Sequence, residues 1–82
     1  MSMSRAFVFL NCDMGAEQSI IGEMNRIAGV SDATGLTGVY DIVAKLSVES
    51  DEGISMILKR LRLIASIRSI LTMIVADKQT GS

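Results

Sequence analysis

Apolar and polar positions along this 82-residue chain change period several times, and each change marks an element. Ala6 to Leu10 is a continuous apolar run containing Phe7, Val8 and Phe9. Its β-branched and aromatic content predicts a strand buried on both faces. Asp13-Met14-Gly15 breaks the run. Ile20, Met24 and Ile27 then recur at i, i+4 and i+7, the stripe of a helix. Asp13 or a neighbour is placed to cap that helix. Glu17 suits its positive end, Arg26 suits the other, and Gly29 is placed to end it. Val30 to Thr37 reads as a strand in which Gly35 marks a bulge or a close contact. Ile42 to Val48 alternates: Ile42, Ala44, Leu46 and Val48 share one face, Lys45 and Ser47 the other. Ser50-Asp51-Glu52 supplies a cap and an acidic first turn. Ile54, Ile57, Leu58, Leu61 and Ile64 form the cleanest helical stripe, with Lys59, Arg60 and Arg62 toward its C-terminal end. Ile67 to Ala76, rich in Ile, Leu, Thr and Val, is the last predicted strand.

The order is therefore β-α-β-β-α-β, with a helical crossover on each side of a central hairpin. Right-handed crossovers favour an α+β, ferredoxin-like arrangement: a four-stranded antiparallel sheet with two helices on one face. A monomer would keep the other face polar. In the first strand Phe7 and Phe9 point opposite to Val8 and Leu10; in the last, Leu71, Met73 and Val75 oppose Ile70 and Ile74. Both faces thus carry large apolar groups, which predicts a homodimer packed sheet to sheet as a dimeric α/β sandwich. Met56 and Leu63 lie off the helix stripe, either as scattered surface positions or as a contact between dimers.

Composition narrows the function classes. The chain holds one domain, 1–82, and at this length it is marginally stable alone. Hydrophobic residues make up 49%, Cys12 is the only cysteine, and there is no histidine. Neither a disulfide framework nor an obvious metal site is available, so oligomerisation is the expected stabiliser. The net charge of −1 gives no basic footprint for duplex DNA. A lone cysteine suits a reducing cytoplasm, and neither a signal peptide nor a membrane-spanning run is evident. Gln79-Thr80-Gly81-Ser82 reads as a loose tail.

Gly38-Val39-Tyr40-Asp41, between the second and third strands, holds the candidate chemistry. Glycine lets backbone approach a ligand closely, and successive turn N–H groups can hold a carboxylate. Asp41 can pair with an ammonium group by a charge-assisted bond, and Tyr40 can wall or cap the pocket. By themselves such residues also make an ordinary turn, with Asp41 bonding its own backbone and Tyr40 packing at the sheet edge.

In order and spacing the chain resembles the RAM domain, the effector-binding half of leucine-responsive/asparagine (Lrp/AsnC) transcription regulators. The likeness runs from Ala6 to Asp77. It rests on Ala6-Phe7-Val8-Phe9-Leu10, Gly15, Ile27-Ala28-Gly29-Val30, Leu36-Thr37-Gly38-Val39-Tyr40-Asp41-Ile42 and Ile67-Arg68-Ser69-Ile70-Leu71-Thr72. The Gly-x-Tyr-Asp corner is the most specific part. The resemblance implies an amino-acid effector bound at a contact between dimers by Gly38, Val39, Tyr40, Asp41 and Thr72. It also implies dimers of dimers, up to an octamer or ring, and co-assembly with full-length Lrp/AsnC proteins. Neither catalysis, cofactor nor metal is expected. Family members commonly carry glycine at Ser66 and threonine at Ile70, so a drier pocket or a vestigial one is implied here. The first strand starts too near Met1 for the family's winged helix-turn-helix, so the expectation is a stand-alone RAM domain that does not itself bind DNA.

Three other classes fit the same element order. An ACT-type amino-acid sensor would use glycines near the first strand–helix turn, where Gly15 lies. A small enzyme such as an acylphosphatase or a barrel-type monooxygenase is compatible with the fold. Against it, the chain lacks histidine and a phosphate loop, and nothing basic adjoins Cys12 in sequence. An RNA-binding sheet would stack bases on aromatics in its central strands, and Ile42 to Val48 has none.

Overall fold

The computed structural model describes residues 3–76. Six elements follow the predicted order: β1 (Ser4–Cys12), α1 (Glu17–Met24), β2 (Val30–Gly35), β3 (Ile42–Val48), α2 (Asp51–Leu61) and β4 (Ile67–Ile74). The strands form one sheet in the order β2-β3-β1-β4, and every neighbouring pair is antiparallel. The tail at Gln79–Ser82 lies outside the described residues.

Alternation along β1 and β3 decides what is buried. Ala6, Val8, Leu10 and Cys12 of β1 and Ile42, Ala44 and Leu46 of β3 point toward the helices and are buried. They meet Ile20 and Met24 from α1 and Ile54, Ile57 and Leu61 from α2. Removing each large side chain from water contributes about 1.5–3 kcal/mol. α2 lies over β1 and β3, and α1 over β2 and β3. The edge strand β4 is the least covered, so even Ile74, on its helix side, remains exposed.

The predicted start of α2 holds: Ser50 Oγ accepts the Gly53 N–H, and Asp51 and Glu52 fill the first turn. The start of α1 differs. Its N-cap is Ala16, which makes no side-chain cap, and Asp13 contributes its backbone carbonyl to Ala16 N instead. α1 also stops at Met24, short of Arg26. Bonds from Arg26 N to Glu23 O and Ile27 N to Met24 O tighten the chain into a turn that still delivers Ile27 to the core. β2 ends at Gly35 rather than Thr37. The irregularity expected there falls between Val30 and Asp32, with another between Asn11 and Cys12.

Candidate functional site

Residues 36–41 join β2 to β3 at the end of the sheet where β1 finishes. Their base is tied down. Leu36 N donates to Asp41 O (2.8 Å), and Asp41 N donates to Leu10 O (2.8 Å). Cys12 N donates to Asp41 Oδ2 (2.9 Å). Tyr40 rests its ring on Phe9, centroids 5.5 Å apart and planes inclined at 49°. The tip, in contrast, is bare. Val39 is 82% exposed. Gly38 adopts φ +134°, and a Cβ there would meet nothing within 4 Å. Among the described residues, the N–H groups of Gly38, Val39 and Tyr40 make no backbone bond.

Asp41 turns toward the helix side. There it lines an open cleft with Cys12, Asp13, Met14, Glu17 and Arg68. Arg68 Nε meets Asp13 Oδ1 at 3.0 Å, but both side chains are mostly in water, so the pair adds little. Burial raises the Cys12 thiol above its ordinary range, and the carboxylates of Glu17, Asp41 and Asp13 raise it further. At neutral pH the thiol is therefore protonated and a poor nucleophile. Among the described residues, no group of three or more His, Cys, Asp or Glu is arranged to hold a metal, and no helix is long and apolar enough to cross a membrane.

The fold gathers Gly38, Val39, Tyr40 and Asp41 at one place, as their adjacency requires. It does not bring Thr72 there. Thr72 pairs with the buried Val8 in β4, on the helix side, and β1 separates β4 from the hairpin. Ile70 pairs with Leu10 and packs against the core. Sequence reasoning missed the anchors of the corner, the Cys12 N–H, the Leu10 carbonyl and the Phe9 ring. The alternation of β1 put Phe9 on the open face, but nothing local to Tyr40 signals their meeting.

The open face divides into two halves. Over β1 and β4 it is apolar: Phe7 pairs with Met73 and Phe9 with Leu71, Leu71 being 43% and Met73 54% exposed. Over β2 and β3 the pairs are Asp32 with Lys45 and Thr34 with Val43, largely polar. Asn11 Nδ2 donates to Ser69 Oγ (3.2 Å) at the corner end of the apolar half.

A family model described as the Lrp/AsnC ligand binding domain matches residues 5–79. None of the curated proteins matches the chain. Among solved structures, FFRP-DM1 is 23% identical, with 90% of this chain and 100% of that chain covered and a TM-score of 0.85. AsnC of E. coli is 22% identical, with 92% of this chain and 52% of that one covered, at a TM-score of 0.82. NMB0573 of Neisseria meningitidis, a transcriptional regulator in complex with L-Met, is 15% identical, with 92% and 51% covered and a TM-score of 0.79. The chain spans about half the length of these two regulators and the whole of FFRP-DM1. At such identities the likenesses establish the fold, and the family match over most of the chain establishes the rest: the chain belongs to the Lrp/AsnC ligand-binding domain family.

Proposed function

We propose that the chain is an effector-binding and self-associating module of transcription regulation, which takes a free amino acid at the corner of residues 38–41. The observation that carries this reading is the corner's firm base beneath unused N–H groups at its tip. A loop already held in shape loses little freedom when a ligand arrives. The N–H groups around Gly38 donate to the α-carboxylate, and the Asp41 oxygen not engaged by Cys12 accepts from the α-ammonium. Val39 and Tyr40 supply walls. Thr72 joins a corner only from a second copy, since β1 stands between it and its own. NMB0573 was solved with L-Met, which makes methionine the first amino acid to try.

Self-association follows from the apolar half of the open face and from β4, a long edge strand whose only charged residue is Arg68. A second copy is the favoured occupant. The face carries Arg5 and Lys45 together with Asp32, so it can satisfy its own charges under two-fold symmetry, and a net charge of −1 sets up little repulsion. The assembly works in the cytoplasm and acts on transcription through full-length Lrp/AsnC proteins.

The test is a thermal-shift screen against the proteinogenic amino acids, with mass measured by sedimentation alongside. A true effector raises Tm progressively with its concentration, by mass action. An unchanged Tm across the whole panel rejects the amino-acid site, whatever the mass shows.

A further inference from the structure

Tyr40 and Asp41 are neighbours in the corner, yet they reach opposite faces of the sheet. The Asp41 carboxylate holds the amide of Cys12, whose side chain is buried beneath the helices. The Tyr40 ring lies against Phe9, which belongs to the open face through its pairing with Val43 and Leu71. The 5.5 Å tilted contact falls within the favourable spacing for aromatic pairs. Through it the apolar half of the sheet, Phe7, Phe9, Leu71 and Met73, continues without a break into the candidate ligand corner.

We infer that Tyr40 is a positioning residue coupling that corner to the open sheet face. A second copy seated on the face dehydrates Phe9, fixes the Tyr40 ring against it, and so fixes the loop that presents Gly38 and Asp41. In the lone chain the base of the corner is tied but both rings are only half-buried, so the Phe9–Tyr40 contact stays open to water until a second copy covers it. The coupling is reciprocal: whatever assembly gives the corner, a ligand in the corner returns to assembly. This inference rests on the association reading above and adds the side chain through which association is felt.

The chain carries its own reporter, because Tyr40 is its single tyrosine and there is no tryptophan. Tyrosine emission and its quenching by acrylamide are followed across a dilution series, with sedimentation run on the same samples. The expected result is a loss of quencher access to Tyr40 that follows the gain in mass. Phe9→Leu, concentrated until sedimentation shows it assembled, should leave Tyr40 as accessible as in the free chain. A mass transition with flat Tyr40 quenching overturns the inference and leaves the association reading standing. Assembled Phe9→Leu that protects Tyr40 as the unaltered chain does overturns it as well. A chain that stays monomeric throughout overturns the association reading and this inference together.

Discussion

Asp41 holds the Cys12 amide and is the proposed partner of a ligand's ammonium group, and substitutions can separate the two. One oxygen is committed to the Cys12 N–H at 2.9 Å, and the residue also lines the cleft beside Cys12, Asp13 and Glu17. Asp41→Ala removes both and strands the amide of a buried residue, a loss of about 1–3 kcal/mol. Asp41→Asn keeps a carbonyl oxygen for that amide and discards the charge. The expected outcome is a clear fall in the urea midpoint for Asp41→Ala at unchanged slope, a smaller one for Asp41→Asn, and loss of amino-acid binding in both. If Asp41→Ala unfolds at the same urea concentration as the unaltered chain, the bond to Cys12 does not hold the corner. The sequence offered a plain turn residue or a ligand residue at this position. It could not offer the third role, because a bond between a carboxylate and a backbone amide on another strand leaves no mark at either end. Cys12 was more legible: an apolar strand ending on cysteine with no cation beside it reads as a buried thiol, and burial does keep it protonated.

Elements with a strong period were readable almost to the residue, and the rest were not. β3 spans the alternating stretch Ile42–Val48, and α2 carries its cap and its stripe as far as Leu61, Ile64 falling in the turn beyond. α1 is harder because it has no side-chain cap and a third of its stripe lies beyond it: Ile27 obeys the helical spacing but reaches the core from a tightened turn. That turn closes at Gly29, the glycine with least room for a side chain. Gly29 adopts φ +100°, and a Cβ there would lie 2.6 Å from Val48 Cγ1 and 3.0 Å from Ile57 Cδ1. Gly29→Ala therefore combines backbone strain of about 1–3 kcal/mol with overpacking of about 1–3 kcal/mol. Gly38→Ala carries the strain alone, since nothing surrounds it. Chemical denaturation of the two variants should rank Gly29→Ala well below Gly38→Ala in stability. Equal losses would mean that Val48 and Ile57 move aside freely and that the α1–β2 turn does not govern packing at that end of the core.

At the scale of the whole molecule, apolar groups are exposed on opposite sides, and the two sides are not equivalent. The open face offers Phe7, Leu71 and Met73 in one contiguous half; the helix side offers Met56 of α2, 67% exposed, and Leu63 in the turn just beyond that helix, 84% exposed. Alternation in the sequence foretold the apolar open face, and the helix stripe left Met56 and Leu63 outside it, either as scattered positions or as a contact. Alternation did not foretell that the polar pair Asp32 and Lys45 would push the apolar half off-centre, toward the β4 edge. That offset depends on strand order, which no single segment encodes. Two copies stacked on the apolar half would keep Asp32 and Lys45 at the rim, where water and each other can satisfy them. Each substituted residue then counts twice across a two-fold interface. Met73 is 54% exposed in the lone chain, so Met73→Lys removes about 0.8–1.6 kcal/mol of burial per copy, which weakens a dimer by at least about tenfold before any cost of the buried ammonium. Leu63→Ser should leave dimers intact and abolish only larger assemblies. Sedimentation equilibrium on the two variants distinguishes these levels. Monomers from Leu63→Ser with intact mass in Met73→Lys would move the primary contact to the helix layer, and the corner would then lie beyond the reach of any partner seated on the sheet.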